Sequence, residues 1–297
     1  MPETHAPETK APAKKRKKQS NFSMIWHRLL QDKVAVAGMI VILLLVVLSI
    51  VGPLIPGLDP NSMDVMAMYQ APSAKHWFGT DGLGRDIFAR IIYGGRYSLA
   101  LGFIGSVFTA LIGTVFGTII GYFGGKIDNF FMRVCDVWQA IPGQLLAIVI
   151  ATTLGNGFFN TILAMSIGGI PMSIRSTRAM CLKEREMEYL EAAQSYNCSK
   201  SKIMFKHMLP NIISPTIVGT TMSMGGTIMG AAGLSYIGLG IPAELPEWGA
   251  MISSARDAIG VAPHMMIFPG MMIAIVVLAI NLFGDGLRDA MDPKLKK

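Results

Sequence analysis

The sequence predicts an all-α polytopic membrane protein with six transmembrane helices, and three observations carry that prediction. Of its 297 residues, 52% are hydrophobic and only 15% charged, whereas soluble domains run near about 25% charged. The apolar residues are also gathered into blocks. Stretches free of Asp, Glu, Lys and Arg cover residues 34–58, 97–125, 137–174, 207–243 and 258–284, or 25, 29, 38, 37 and 27 residues. A helix crossing the hydrocarbon core needs about 20, so each block holds a crossing and the longest has room for most of two. Third, the basic residues are shared unequally between alternate loops. A soluble enzyme, a secreted disulfide scaffold and a nucleic-acid-binding domain all fit poorly, and the mean hydropathy of +0.47 agrees.

Residues 1–24 read as a disordered basic tail, rich in Pro, Thr, Glu and Lys with no apolar face. Its run Lys14-Lys15-Arg16-Lys17-Lys18 is a topology signal on a membrane chain rather than a nucleic-acid patch. Residues 25–96 then hold the first transmembrane helix, at 34–54, and an extracytoplasmic segment. The polar lead-in to that helix is too long for a cleavable signal peptide. A core domain over 97–292 holds the other five helices, at 97–122, 130–154, 158–175, 212–238 and 264–286, with a cytoplasmic loop at 175–210. Gly155-Asn156-Gly157 divides the longest apolar block, as a tight-turn signal does. The third helix begins among charges, where Arg133 and Asp136 at i,i+3 can neutralise each other. Pro269-Gly270 interrupts the sixth, which membrane helices tolerate.

Placing both termini in the cytoplasm puts 21 basic residues inside and five outside: Lys75, Arg85, Arg90, Arg96 and Arg256. The positive-inside rule selects that orientation. Cys135, Cys181 and Cys198 fall inside or within the membrane, without metal-ligand spacing, and read as reduced structural thiols. No metal site is expected.

Gly113, Gly117 and Gly121 form a tandem small-xxx-small stripe, and Gly226 and Gly230 repeat the spacing. Such glycines let helices approach closely, either within one bundle or between subunits. The second, fourth and fifth helices lack ionisable interior residues, which an ion-coupled carrier uses at mid-membrane. No histidine sits where an axial haem ligand belongs. The 22 methionines are scattered through every span, as core filler rather than copper ligands. No phosphate-cradling loop exists, since Gly124-Gly125-Lys126 continues with Ile127. Uphill transport would therefore draw its energy from another polypeptide.

The cytoplasmic loop predicts two helical stretches, 176–195 and 199–209, around Tyr196-Asn197-Cys198. Asn197 tolerates the left-handed conformation that ends a helix, Ser199 is a plausible N-cap, and Pro210 marks re-entry into the membrane. Ala192-Ala193 beside Tyr189 and Tyr196 makes a small projecting patch suited to a partner's groove.

Here the residues resemble a family. Glu191-Ala192-Ala193, three residues, Asn197, nine residues, His207, Met208 and Leu209-Pro210 follow the E-A-A-x3-G-x9-I-x-L-P signature of permease subunits of ABC importers. Asn197 stands for the signature Gly and His207 for Ile. The stretches FGTDGLGRDIFARIIYGGRYSLALG (78–102), YFGGKIDNFFMRVCD (122–136) and LSYIGLGIPAELPEWGAMI (234–252) resemble the C-type permease of dipeptide, oligopeptide and nickel importers. The resemblance implies a type I ABC importer permease fold in the bacterial inner membrane. It implies a heterodimer with a second similar permease, surrounded by membrane lipid and binding no nucleic acid. Two cytoplasmic ATPases would bind ATP-Mg, this chain holding no cofactor and catalysing nothing, and an extracytoplasmic binding protein would deliver solute. Glu191, Ala192, Ala193, Tyr196, Asn197, Leu209 and Pro210 would then couple to an ATPase. Peptide is the expected cargo, nickel or another small solute the alternative, and a membrane scaffold for an ATPase complex the rival role.

Two outer segments complete the reading. Asp81-Gly82-Leu83-Gly84-Arg85-Asp86 is a Gly-rich turn leading into a helix with Ile87, Phe88, Ile91 and Ile92 on its apolar face. Glu247 and Trp248 lie in the second segment, with Trp248 an interfacial anchor or, with its neighbours, a contact for the binding protein. Asp81, Gly84, Arg85, Asp86, Glu247 and Trp248 are the expected contacts on that side.

Overall fold

Helices supply the regular structure of residues 21–292, the part of the chain that this computed structural model describes. The first twenty residues of the predicted tail lie outside the described residues; its last four do not fit a disordered tail. They open an amphipathic helix, α1 (Asn21–Gln31), which Asp32 joins to α2 (Lys33–Val51) by accepting from the backbone N–H groups of Val34 and Ala35. Then follow α3 (Ile87–Phe123), α4 (Gly125–Gln139), α5 (Gly143–Leu154), α6 (Phe158–Arg185), α7 (Glu188–Ser195), the single turn α8 (Lys200–Lys202), α9 (Leu209–Tyr236), α10 (Trp248–Ser254) and α11 (His264–Met291).

Among the described residues three helices are long and apolar enough to cross a membrane: Lys33–Leu54, Ile87–Phe123 and His264–Met291. The pair α4 and α5 makes a fourth only if its 78° bend lies within one span. This corrects the continuous helix expected over 130–154. Pro142 at the start of α5 has no N–H to carry the helix through and disfavours helical backbone at Ile141. α6 and α9 have the length, 28 residues each. α6 carries Arg175, Arg178, Lys183 and Arg185, and α9 is rich in Ser, Thr and Gly, so neither qualifies by composition. The expected boundaries move too. α3 starts at Ile87 rather than 97, inside the segment assigned to the outer loop, and α6 runs ten residues past its predicted end.

α3 is the central strut, packed along α6 on one side and α9 on another. A Cβ on Gly117 would lie 2.6 Å from Thr177 Cβ, one on Gly121 2.6 Å from Cys181 Cβ, and one on Gly113 against Ser173. The glycine stripe of α3 thus meets Ser173, Thr177 and Cys181 of α6, a matching i,i+4 row of small residues. The fifth-helix pair behaves differently. Gly226 has nothing within 4 Å, Gly230 meets the flexible tip of Met165 on α6 at 2.2 Å, and Gly225 rather than Gly226 faces α11, at 3.2 Å from Val277. Gly226 is therefore removed from the packing residues of this chain, one position on a helix being a rotation of about 100°.

Arg175 and Arg178 of α6 pair with Asp136 and Asp128 of α4. Asp136 is thus neutralised across the bundle rather than by Arg133 on its own helix, as had been expected.

Candidate functional site

Beyond Arg185 the chain breaks at Glu186-Met187, so the first predicted loop helix is two pieces, the end of α6 and the separate α7. One side chain seats α7 on the bundle. Leu190 is 0% exposed and packs with Cys181, Ile203, Met208 and Ile212, with Ala193, Cys198 and Leu209 at the edge. α7 then ends in a Schellman turn: Asn197 N–H donates to Gln194 O at 2.8 Å, and Cys198 N–H to Ala193 O at 3.1 Å. That geometry needs a left-handed residue, and Asn197 supplies it with φ +53°. Ser199 caps the next turn by accepting from Lys202 N–H at 3.4 Å.

Residues Ile203–Met208 follow as a π-helical turn, with Leu209 N–H reaching back to Met204 O. Pro210, expected to mark re-entry into the membrane, sits in the first turn of α9. The wider turn accommodates a residue that cannot donate and whose ring crowds the carbonyl four positions back.

A polar tie fastens α7 from its other side. The Tyr189 hydroxyl donates to Glu184 Oε2 at 2.5 Å, and Asn211 Nδ2 donates to the Tyr189 oxygen at 2.7 Å. One phenol thereby joins α7 to the end of α6 and the start of α9. Burial, then the hydrogen bond to Glu184, push the phenol up to about 12, so it stays a donor. Nothing in the spacing announces this tie, because its three groups come from three helices.

Of the residues predicted to couple, Glu191, Ala192, Tyr196, Asn197 and Pro210 face outward, Tyr196 at 86% exposure, while Ala193 and Leu209 lie partly buried beneath. The Glu191 carboxylate has no hydrogen-bond or ion-pair partner among the described residues. The element is a rigid knuckle with an apolar underside and a free polar crest.

At the opposite end, the six residues expected to meet a binding protein build the interior of a cap. Asp81 accepts from the Leu83 and Arg85 N–H groups at 2.9 and 3.0 Å and from Arg85 Nε at 2.7 Å, with Arg90 Nε 3.9 Å away. Arg90 donates to Pro60 O at 3.1 Å and Ala243 O at 3.0 Å, clasping the two outer segments together. Asp86 caps α3 by accepting from Ala89 N–H and pairs with His76 at 2.8 Å. Gly84 has φ +71°, and the Asp64 carbonyl occupies the place of a side chain. Glu247 caps α10 at 2.8 Å to both Gly249 and Ala250 N–H and accepts from Ser98. Trp248 is 1% exposed and donates to Ile91 O at 3.0 Å, so it anchors the core rather than the interface. With Asp81, Arg85, Glu247 and Trp248 buried, this cluster offers no docking surface. Asp86 directly before the apolar run at Ile87 was the readable sign of a helix cap. Among the described residues no three His, Cys, Asp or Glu side chains gather to hold a metal.

Comparison with known proteins settles the family. Residues 113–297 match the binding-protein-dependent transport system inner membrane component, and residues 20–72 match the N-terminal TM domain of oligopeptide transport permease C. The chain belongs to this permease family. The permease is 46% identical over 272 residues to the glutathione transport system permease protein GsiD of Salmonella typhimurium, covering 91% of this chain and 90% of the relative. It is 43% identical, with the same coverage, to GsiD of Pectobacterium atrosepticum. The dipeptide transport system permease protein DppC of Alkalihalophilus pseudofirmus is 40% identical over 271 residues, 91% of this chain and 89% of that one. In fold, the permease is similar to the MetNI methionine ABC transporter in inward-facing form, at TM-score 0.56 and 19% identity over 68% of this chain and 96% of that one. This is the type I ABC importer permease fold. The relatives are transport subunits and not enzymes, and α1 and α2 fall within the N-terminal match.

Proposed function

We propose that this permease forms half of the solute pathway of an ATP-driven importer of di- or oligopeptides. The pathway would be shared with a second, similar permease. The named cargoes of the relatives, glutathione and dipeptide, are both short peptides, which supports that class. We further propose that α2, α3, the bent pair α4–α5, α6, α9 and α11 all cross the membrane. The α6–α9 loop and both termini would then face the cytoplasm, as the basic residues direct.

The observation that carries the coupling assignment is the knuckle itself. Leu190 and the Tyr189–Glu184–Asn211 tie fasten α7 to two long helices at once, so a push on its crest reaches both. In this reading Glu191, Ala192, Tyr196 and Asn197 meet a groove on one of two cytoplasmic ATPases, which bind ATP-Mg. Closure of the ATPases would rock the bundle between inward- and outward-facing states. Moving such an equilibrium from 1:99 to 99:1 needs about 5.5 kcal/mol of differential binding. An extracytoplasmic binding protein would release peptide at the cap, where Met63, Met66, Trp77 and Leu83 are among the exposed side chains.

The test is Glu191→Lys in the assembled transporter, reading ATPase co-purification and peptide uptake into vesicles with binding protein present. Loss of both is expected. Full assembly with full uptake would remove Glu191 from the coupling contact, and association without any peptide flux in the wild type would favour a scaffold.

A further inference from the structure

The ends of α1, α6, α9 and α11 line an open cleft of about 810 Å³, inside the about 300–1,000 Å³ span of small-molecule sites. Its lining divides by chemistry. Ile25, Met180, Val218 and Met222 form an apolar wall, and Arg28, Lys183 and Arg288 bring three cations to it. None of these three forms an ion pair among the described residues. Both acids of the lining are already engaged: Glu184 accepts from Tyr189 and Asn211, and Asp292 has an interaction of its own. Tyr189 and Asn211 are uncharged donors, so the lining sets three cations against two carboxylates and keeps a net positive charge.

Its depth is fixed by the chain. Arg28 lies five residues before the start of α2, and Lys183 and Arg288 lie in the last turns of α6 and α11. α11 ends beside the beginning of α2, where Gly286 meets Ala35. The three cations therefore share one boundary of the apolar bundle. α1 lies at that same level. While Ile25 and Leu29 pack inward against Ala290 and Leu287, Trp26 is 46% exposed and Leu30 equally open, as in a helix resting in the headgroup region.

We propose that this cleft holds the headgroup of an anionic phospholipid, its phosphate facing Arg28, Lys183 and Arg288 and its acyl chains lying along Met180, Val218 and Met222. Basic pockets between helices at the cytoplasmic boundary recognise that chemistry. A soluble anion would find no use for the apolar wall, and a zwitterionic peptide would carry its ammonium group in among the same cations. The bound lipid would wedge α1 and α11 against the roots of α6 and α9, beside Glu184 and Asn211, which hold the knuckle. Binding itself does not depend on what the permease transports.

The experiment uses the complete transporter in nanodiscs of phosphatidylcholine, titrated with spin-labelled phosphatidylglycerol and, in parallel, spin-labelled phosphatidylcholine. The wild type is expected to prefer the anionic lipid, and each of Arg28→Gln, Lys183→Gln and Arg288→Gln to lower that preference about fivefold, the equivalent of roughly 1 kcal/mol per charge. Lys126→Gln, outside the cleft, is the charge control and should leave the preference unchanged. Met222→Trp should weaken binding of the anionic lipid by filling the apolar wall. Equal preference in the triple variant and the wild type would overturn the proposal. So would displacement of the lipid by inorganic phosphate alone, which would mark a free-anion site, or by a dipeptide, which would mark the cleft as part of the solute route.

Discussion

The two ends of this bundle use charge in opposite ways. In the outer cap, Asp81, Arg85, Arg90 and Glu247 are buried and bonded to one another or to backbone, while Met63, Met66 and Trp77 lie exposed. In the knuckle, Leu190, Ile203 and Met208 are buried while Glu191, Glu188 and Lys200 face water. The cap buries Trp248, Met251 and Met265 against Ile87 and Ile91 of α3, and its segments are registered on that core by buried hydrogen bonds that fail together when one is lost. The knuckle stands on helices already fixed by packing, so its polar crest is free for another molecule. Mutation should therefore damage stability at one end and communication at the other.

The largest effect should come from the cap. Asp81→Ala leaves Arg85 buried without its partner and is expected to cost about 3–5 kcal/mol, read as thermal unfolding of the detergent-solubilised complex. Glu191→Ala should change the same midpoint by less than about 0.5 kcal/mol while abolishing ATPase association. If the two variants melted alike, the contrast between the ends would be wrong. Next comes the underside of the knuckle. Leu190→Ala should cost about 2–5 kcal/mol and loosen α7, visible as faster amide exchange over residues 188–198 with the cap unchanged. A third test concerns the turn. Asn197→Val puts a branched side chain at φ +53° and should cost about 1–2 kcal/mol, whereas Asn197→Gly should be neutral or stabilising.

These regions were also unequally legible in sequence. The helices of the core announced themselves as apolar blocks, and the Gly113-Gly117-Gly121 stripe showed a close helix contact, though not that Ser173, Thr177 and Cys181 would meet it. Asn197 and Ser199 were readable because turn and cap chemistry is local. The tie at Tyr189 was not, since Glu184 and Asn211 reach it from other helices. The cap misled for the same reason. Arg90 bonds to Pro60 and Ala243, 30 and 153 residues away, and a charged residue in a loop reads as surface until such partners are known. The bend between α4 and α5 was signposted by Pro142, but membrane helices often absorb proline, and the apolar run gave no second sign. α1 was missed because the basic tail drew its first residues into a disordered segment.

The smallest predicted effect belongs to the Tyr189 tie and is seen through pH. An ordinary tyrosine titrates near 10, while partial burial and Glu184 push this one up to about 12. The folded chain therefore holds the phenolic proton more tightly than the unfolded chain does. The resulting stabilisation is fully present below about pH 10 and is lost as pH rises from there through 12. Tyr189→Phe should lose that increment at neutral pH, and with it the alkaline fall in stability, while the fold stays intact because the ring keeps its packing. The check is a difference titration of phenolate absorbance, wild type minus Tyr189→Phe, which should show one group ionising above the ordinary tyrosine range. A difference centred near 10 would mean that the phenol is open to water and that α7 hangs from Leu190 alone, with no second fastening to α9.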